Sequence, residues 1–349
     1  MTERETRGDP MIAAHGLKRT FRSRKKTVEA VRGVDLTVAP GEIVGFLGPN
    51  GAGKTTTLRM LTTLLKPTAG EATIAGHDLR TDPGAVRRRI GYVAQAGGTD
   101  PNCKVGEEMV QQGRLYRLTA GDAVRRAAVL RDQLDLKGLD DRMVKTLSGG
   151  QRRRLDIAMG LVHEPPLVFL DEPTTGLDPQ SRANMWTHIA RVRDELNTTV
   201  FLTTHYLEEA DVLCDRILVI DAGRIVAEGT PDELKRRVSG DIITIEVGGD
   251  PQDARRVLAN GAPAGIGIRD LEITDQTLRL TVADGDRALL AVMRELDGAD
   301  VALSAIQLHR PTLDDVFLTL TGRSLRDEGT APAEPGDRSE PSAHAGATP

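Results

Sequence analysis

Residues 48–56 read GPNGAGKTT, and this spacing of glycine, lysine and threonine fits the pattern G-x-x-x-x-G-K-[ST]. The chemistry it suits is phosphate capture. Gly51 and Gly53 let successive backbone N–H groups curl round a phosphate, Lys54 reaches the β- and γ-phosphates, and Thr55 offers an oxygen to Mg²⁺. Gly48, Pro49, Asn50, Ala52 and Thr56 complete the expected nucleotide-triphosphate loop. Further on, LVFLDEP ends an apolar run in two carboxylates. Asp171 is expected to hold hydrated Mg²⁺, and Glu172 to polarise an attacking water, since phosphoryl transfer needs positioning and charge stabilisation above all. Read alone, the pair also fits an ordinary acidic strand end.

A third stretch, LSGGQRRRLDIAMG, bares the backbone at Gly149 and Gly150 just before an apolar rhythm of Leu155, Ala158, Met159 and Val162. That rhythm is the i, i+3, i+4, i+7 spacing of a helix packing one face on a core, and Ser148 stands where its N-cap belongs. Free N–H groups and the dipole at such a terminus attract phosphate. An ordinary capped helix fits the same residues.

These segments must be held by a framework. The phosphate-loop pattern follows an apolar run, EIVGFL, and precedes a helix with Leu58, Leu61 and Leu65 on one face. EIVGFLG, LVFLDE, TTVFLTTH and RILVIDAGRIV are continuous apolar runs separated by helical segments, which indicates a buried, largely parallel sheet whose ligands bind at the carboxyl ends of its strands. Upstream, MIAAHGLKRTF and VRGVDLTV read as strands joined by a basic, solvated loop, RSRKK. The charged helix PDELKRRV closes this unit.

Beyond it, strands over 242–247, 268–273, 277–282 and 301–308 alternate with helices over 251–258 and 287–296, the βαββαβ order of a ferredoxin-like unit. A last helix, TLDDVFLTLTG, sets Leu313, Val316, Phe317 and Leu320 on one side, as if to dock on a neighbour. The expected division is a disordered tail over 1–10, a nucleotide unit over 11–237, an accessory unit over 240–322 and a disordered, Pro- and Gly-rich tail over 323–349.

With 349 residues, 39% of them hydrophobic, the chain has ample material for a core and a second domain. Its formal net charge of -5 gives no global basic surface, so no nucleic-acid partner is expected. No apolar run nears the roughly 18 residues of a membrane span, the polar start is unlike a signal peptide, and a cytosolic protein is expected. Cys103 and Cys214 lack metal-ligand spacing and read as free thiols. Arg152, Arg153 and Arg154 read as a solvated face or a subunit contact.

Taken together, these motifs resemble the nucleotide-binding subunits of ATP-binding cassette (ABC) transporters over residues 12–234. The resemblance implies an α/β P-loop NTPase of ABC type, with a mostly parallel core, an antiparallel N-terminal β subdomain, a helical signature subdomain and a small α+β C-terminal domain. It implies ATP and Mg²⁺ as cofactors, and a homodimer in which Ser148, Gly149, Gly150 and Gln151 of one subunit close over ATP held by the other. By the same resemblance Gln95, in IGYVAQ, senses Mg²⁺ and water and faces the membrane partner; Asp178, in GLDP, touches the second subunit; His205, in TTHYLEEAD, contacts the γ-phosphate; and Phe21 stacks on adenine. Read singly, Phe21 fits a core aromatic, Gln95 a surface amide and His205 a satisfied histidine at a strand end.

A narrower resemblance, carried by TTLLKPTAGEATIAGHDL, RRRLDIA and RPTLDDVFLTLTG, is to the ATP-binding subunits of daunorubicin-resistance-type exporters. It implies an ATP-hydrolysing motor at the cytoplasmic face of the cell membrane, peripheral to a separate multi-span permease that exports a drug, antibiotic or lipid-like compound. A soluble ABC ATPase of translation or DNA repair is the alternative; such proteins usually carry two cassettes or a long coiled coil, and neither is visible. A third reading makes the region after Gly240 a module that regulates the motor.

Overall fold

The computed structural model describes residues 9–23, 27–238, 240–261, 267–274 and 276–322. The tails expected to be disordered therefore fall outside the described residues, apart from Asp9 and Pro10, which form no regular element; most of the RSRKK loop lies outside them too.

Two strands, β1 (Ile12–Arg22) and β2 (Thr27–Val38), form a hairpin, and β3 (Ile43–Leu47) leads through the phosphate loop into α1 (Lys54–Leu61). β4 (Ala69–Ile74), β5 (His77–Asp78), α2 (Pro83–Arg89) and β6 (Ile90–Val93) follow. A helical region comprises α3 (Val105–Leu115), α4 (Ala120–Gln133) and α5 (Gly149–Leu161). The chain returns through β7 (Leu167–Asp171), α6 (Pro179–Leu196), β8 (Thr199–Thr204), α7 (Leu207–Leu213), β9 (Arg216–Asp221), β10 (Arg224–Gly229) and α8 (Pro231–Val238).

Six of these strands form one sheet in the order β10-β9-β3-β8-β7-β6, parallel except at β10. β3, β7 and β8 are buried at every residue, because helices and the hairpin sheet cover both faces; that is why their sequences run apolar without alternation. Phe46, Phe169 and Phe201 pack side by side on one face, with ring centroids 5.6 Å apart in each neighbouring pair. The antiparallel sheet, in the order β2-β1-β4-β5, covers that face. α1 ends at Leu61, so Leu65 lies beyond it and packs only in part on the core that buries Leu58 and Leu61.

The last portion contains β11 (Asp241–Val247), α9 (Pro251–Gly261), β12 (Ile268–Thr274), β13 (Thr277–Val282), α10 (Gly285–Gly298), β14 (Leu303–His309) and α11 (Leu313–Thr321). Its strands form a separate antiparallel sheet in the order β12-β13-β11-β14. Alternate residues Ile243, Ile245, Leu278 and Leu280 point into a core closed by Ala254, Leu258, Ala288 and Val292 of α9 and α10.

α11 leaves this small core. Leu313, Val316 and Phe317 join the core of the nucleotide unit beside Leu213 and Leu234, against α7 and α8. A capping box starts the helix: Thr312 Oγ1 accepts from Asp315 N and Asp315 Oδ2 accepts from Thr312 N. The docked side ends earlier than its spacing suggests, since Leu320 is 41% exposed. Among the described residues no helix is long and apolar enough to cross a membrane.

Candidate functional site

The phosphate loop forms where β3 gives way to α1, at the carboxyl edge of the sheet. Gly53 sits at φ 107°, and a Cβ there would come within 2.6 Å of the Ala30 carbonyl of β2, so both the backbone angle and the close approach demand glycine. Lys54 is 4% exposed; its ammonium donates to the carbonyls of Gly48 at 2.7 Å and Pro49 at 3.1 Å. That folds the side chain back along the loop it follows.

Asp171 ends β7. Parallel pairing of β7 with β8 sets Asp171 opposite Thr203, whose Oγ1 donates to Asp171 Oδ1 at 2.7 Å. Thr55 Oγ1 donates to the same oxygen at 3.3 Å, so the hydroxyl that opens α1 and the carboxylate of β7 converge. The group is all oxygen, as Mg²⁺ prefers when it takes few protein ligands and keeps waters and substrate phosphates.

Glu172 turns out of the strand with φ 44°, a left-handed conformation costly for a residue with a Cβ. Its N–H, bonded to the carbonyl of Thr203 at 3.1 Å and to its hydroxyl at 3.0 Å, holds it there. Four side chains surround the carboxylate. Gln95 Nε2 donates to Oε2 at 2.9 Å, Thr175 Oγ1 donates to it at 3.0 Å, His205 Nδ1 lies 3.3 Å from it, and Lys54 Nζ is 3.6 Å from Oε1. Burial pushes the carboxyl pKa up, but His205, Lys54 and Thr175 outweigh it and hold Glu172 below its ordinary value. The group is thus an ionised carboxylate at neutral pH, and a proton acceptor.

The structure brings together Gln95, Lys54, Thr55, Asp171, Glu172 and His205. It does not bring the glycine-rich signature to them. Ser148 and Gln151 form a reciprocal capping box at the start of α5, Ser148 Oγ accepting from Gln151 N at 3.2 Å and Gln151 Oε1 from Ser148 N at 3.0 Å. A Cβ at Gly149 would meet Leu177 at 3.8 Å and one at Gly150 would meet Ser181 Oγ at 3.4 Å, so little within the chain presses on either glycine. Asp178 caps α6, accepting from Ser181 N at 2.9 Å; bonds from Ser181 lower its pKa. Phe21 is 40% exposed on β1, with the Arg19 guanidinium 4.6 Å over its ring.

Three neighbours of the site escape motif reading. Thr203 and Thr175 orient the two carboxylates, and the only trace of Thr203 in the sequence is its place two residues before His205 at the end of an apolar run. The third corrects an expectation. Arg153 is not on a solvated face: it is 7% exposed, and its guanidinium runs inward to the carbonyls of Ala94, Asp171 and Pro173 at 2.6, 2.9 and 2.8 Å. Three arginines in a row suggest solvent, but the helical turn points the middle one at the core. Arg152 reaches the Val144 carbonyl and Arg154 lies 3.4 Å from His188.

A phosphate loop opening α1, a paired carboxylate at the end of the next strand but one and a separate helical region with a capped glycine signature define a P-loop nucleotide triphosphatase of the ATP-binding cassette class. The family described as ABC transporter matches residues 31–175, and that described as ATP-binding protein DrrA1-3-like, C-terminal domain, matches residues 229–321. The chain is 43% identical over 325 residues to the daunorubicin resistance ATP-binding protein DrrA3 of Streptomyces coeruleorubidus, covering 91% of this chain and 98% of that protein. It is also 43% identical over 326 residues to the daunorubicin/doxorubicin resistance ATP-binding protein DrrA of Streptomyces peucetius, covering 92% and 96%. Among solved structures, the dimeric post-hydrolysis state of the ATP-binding cassette MJ0796 bound to ADP and Pi superposes with a TM-score of 0.58 at 26% identity, over 63% of this chain and 98% of that one. The chain belongs to the DrrA-type ATP-binding proteins of the ABC transporter family, a family of ATP-hydrolysing subunits.

Proposed function

We propose that two copies of this chain bind two molecules of ATP at a shared interface, hydrolyse them, and energise a separate multi-span permease from the cytoplasmic face of the cell membrane, exporting a drug, antibiotic or lipid-like compound. The observation that carries this reading is the meeting of Gln95, Lys54 and His205 on the carboxylate of Glu172, with Thr55 and Asp171 beside it. The names of the relatives, resistance proteins for daunorubicin and doxorubicin, supply the substrate class.

In this reading the phosphate loop, from Gly48 through Pro49, Asn50, Gly51, Ala52 and Gly53 to Thr56, wraps the ATP phosphates, and Lys54 swings from its two carbonyls to them. Thr55 and Asp171 would hold Mg²⁺, directly or through water, with Gln95 beside it, and the bound ion would supply charge neutralisation for the phosphates. Glu172 orients the attacking water and takes its proton, while His205 steadies the γ-phosphate. Gly149 and Gly150, little pressed within their own chain, let the backbone of a second subunit approach the phosphate, with Ser148, Gln151 and Asp178 lining that interface and Phe21 against the adenine. Residues 11–237 form the motor and 240–322 an accessory unit that steadies or regulates it through α11.

The test is affinity isolation from cells of the full chain carrying Glu172→Gln, with ATPase assay of the co-purified wild-type complex. Expected are a multi-span membrane protein in the isolate, Mg²⁺-dependent ATPase from the wild type, an ATP-bound dimer from Glu172→Gln, and ATP binding weakened roughly ten- to hundredfold by Lys54→Ala, the scale of a lost charge-assisted hydrogen bond. Ribosomes or DNA-repair factors in place of a permease, or full turnover by Glu172→Gln, overturns the reading.

A further inference from the structure

The side chain of Arg153 ties the signature helix α5 to the strand end that bears Glu172 and to the loop that bears Gln95. Arg153 spends its guanidinium on five backbone carbonyls from two separate segments. Nη1 donates to Ala94 at 2.6 Å and reaches Gln95 at 3.5 Å, in the loop after β6. Nη2 donates to Asp171 at 2.9 Å and Glu172 at 3.3 Å, and Nε to Pro173 at 2.8 Å, at the end of β7. A planar fork with five donors at fixed angles spreads over both segments at once; a lysine ammonium, with three donors at a single point, cannot hold all these carbonyls.

One turn further along α5, Asp156 holds the other end of the same loop. Its Oδ1 accepts from Gly98 N at 3.1 Å, and Gly97 lies so close that a Cβ there would come within 2.7 Å of Oδ2. The loop that carries Gln95 is thereby fastened to α5 on both sides of that residue. Gln95 in turn donates through its side chain to Glu172.

We propose that Arg153 is a positioning residue for ATP hydrolysis, setting the separation between the loop that bears Gln95 and the strand end that bears Glu172, so that a displacement of α5 or of that loop reaches the carboxylate through this guanidinium. The proposal rests on the ATPase reading above. A guanidinium that only stapled the fold would contribute stability and leave the chemistry of each folded molecule unchanged. A positioning group changes turnover without changing how ATP binds, because the phosphate loop is not among its partners.

The experiment compares steady-state ATPase of the full chain, co-purified with its permease, for the wild type, Arg153→Lys, Gln95→Ala, the double variant and Glu172→Gln. For Arg153→Lys we expect kcat to fall about tenfold, with KM for ATP within about twofold of wild type. The double variant is expected to turn over no more slowly than the slower single variant, since both changes break one linkage. Loss factors that multiply in the double variant, a rise in KM at constant kcat, or wild-type kcat in Arg153→Lys each overturn the proposal. Arg153→Gln, which keeps two donors without charge, replaces the lysine variant should that one not fold; failure of both to fold makes Arg153 a structural staple and also overturns it. Full turnover by Glu172→Gln in the same assay overturns the site reading itself, whereas an inactive Glu172→Gln beside a fully active Arg153→Lys defeats only this proposal.

Discussion

Gln95 and Glu172, 77 residues apart in the chain, meet through a single hydrogen bond of 2.9 Å from Nε2 to Oε2. Gln95 follows β6 and Glu172 follows β7, and these strands are parallel neighbours in the sheet. The bond therefore spans the place where the loop leading into the helical region touches the carboxyl edge of the sheet. Any shift of that loop changes the partners of the carboxylate proposed to activate water.

Gly149 offers a direct separation of fold from function. A Cβ at this position meets only Leu177 at 3.8 Å, an ordinary contact, and alanine favours a helix over glycine by up to about 1 kcal/mol. Gly149→Ala is expected to leave Tm unchanged or slightly raised while ATPase falls by about tenfold or more, because in the proposed dimer the crowding arises only when a second subunit closes on ATP. Thermal unfolding and ATPase of the same preparation check this; unchanged turnover would count against the proposed dimer interface.

Stability should depend on pH through His163. Its ring stacks on Tyr116 with centroids 3.7 Å apart and its Nε2 lies 3.0 Å from the Ile90 carbonyl. Burial, opposed by that carbonyl and reinforced by Arg126, lowers its pKa to about 4. The unfolded chain takes up this proton near the ordinary histidine value of about 6.5, so between the two values the unfolded state binds more protons and stability falls with falling pH. The expected loss from pH 7 to pH 5 is about 2 kcal/mol. Urea titrations at both pH values measure it, and His163→Phe, which keeps the stacked ring but cannot titrate, should remove this part of the slope.

The helix α11 should be as important to the motor unit as to the C-terminal sheet. Phe317 is 1% exposed among residues of the nucleotide core. Phe317→Ala is expected to destabilise the chain by about 3–5 kcal/mol, the usual cost of truncating a buried phenylalanine. Denaturant unfolding checks the magnitude, and a loss below about 1 kcal/mol would mean that α11 is not held as described.

Much of this protein is legible in one dimension because its signals are local. The phosphate loop is nine consecutive residues whose glycines, lysine and threonines act through their own backbone and side chains, and the buried strands announce themselves as unbroken apolar runs. The βαββαβ order of elements in the last portion is read in the same way from periodicity and turn residues, and its four strands form one antiparallel sheet in the order β12-β13-β11-β14.

Other features exist only once the chain has folded. Thr203 reaches Asp171 because two parallel strands align in one register, although 32 residues separate them. α11 belongs by sequence to the C-terminal portion and by packing to the nucleotide core, since its apolar side is buried where α7 and α8 leave a matching surface. Arg153 reads as one of three charges on a solvated face or subunit contact, yet its direction on α5 turns it inward to the carbonyls of two distant segments. A residue's type and spacing state which bonds it is able to make; which groups stand within 3 Å of it is decided by chain segments far away in sequence, brought near by the burial of apolar surface.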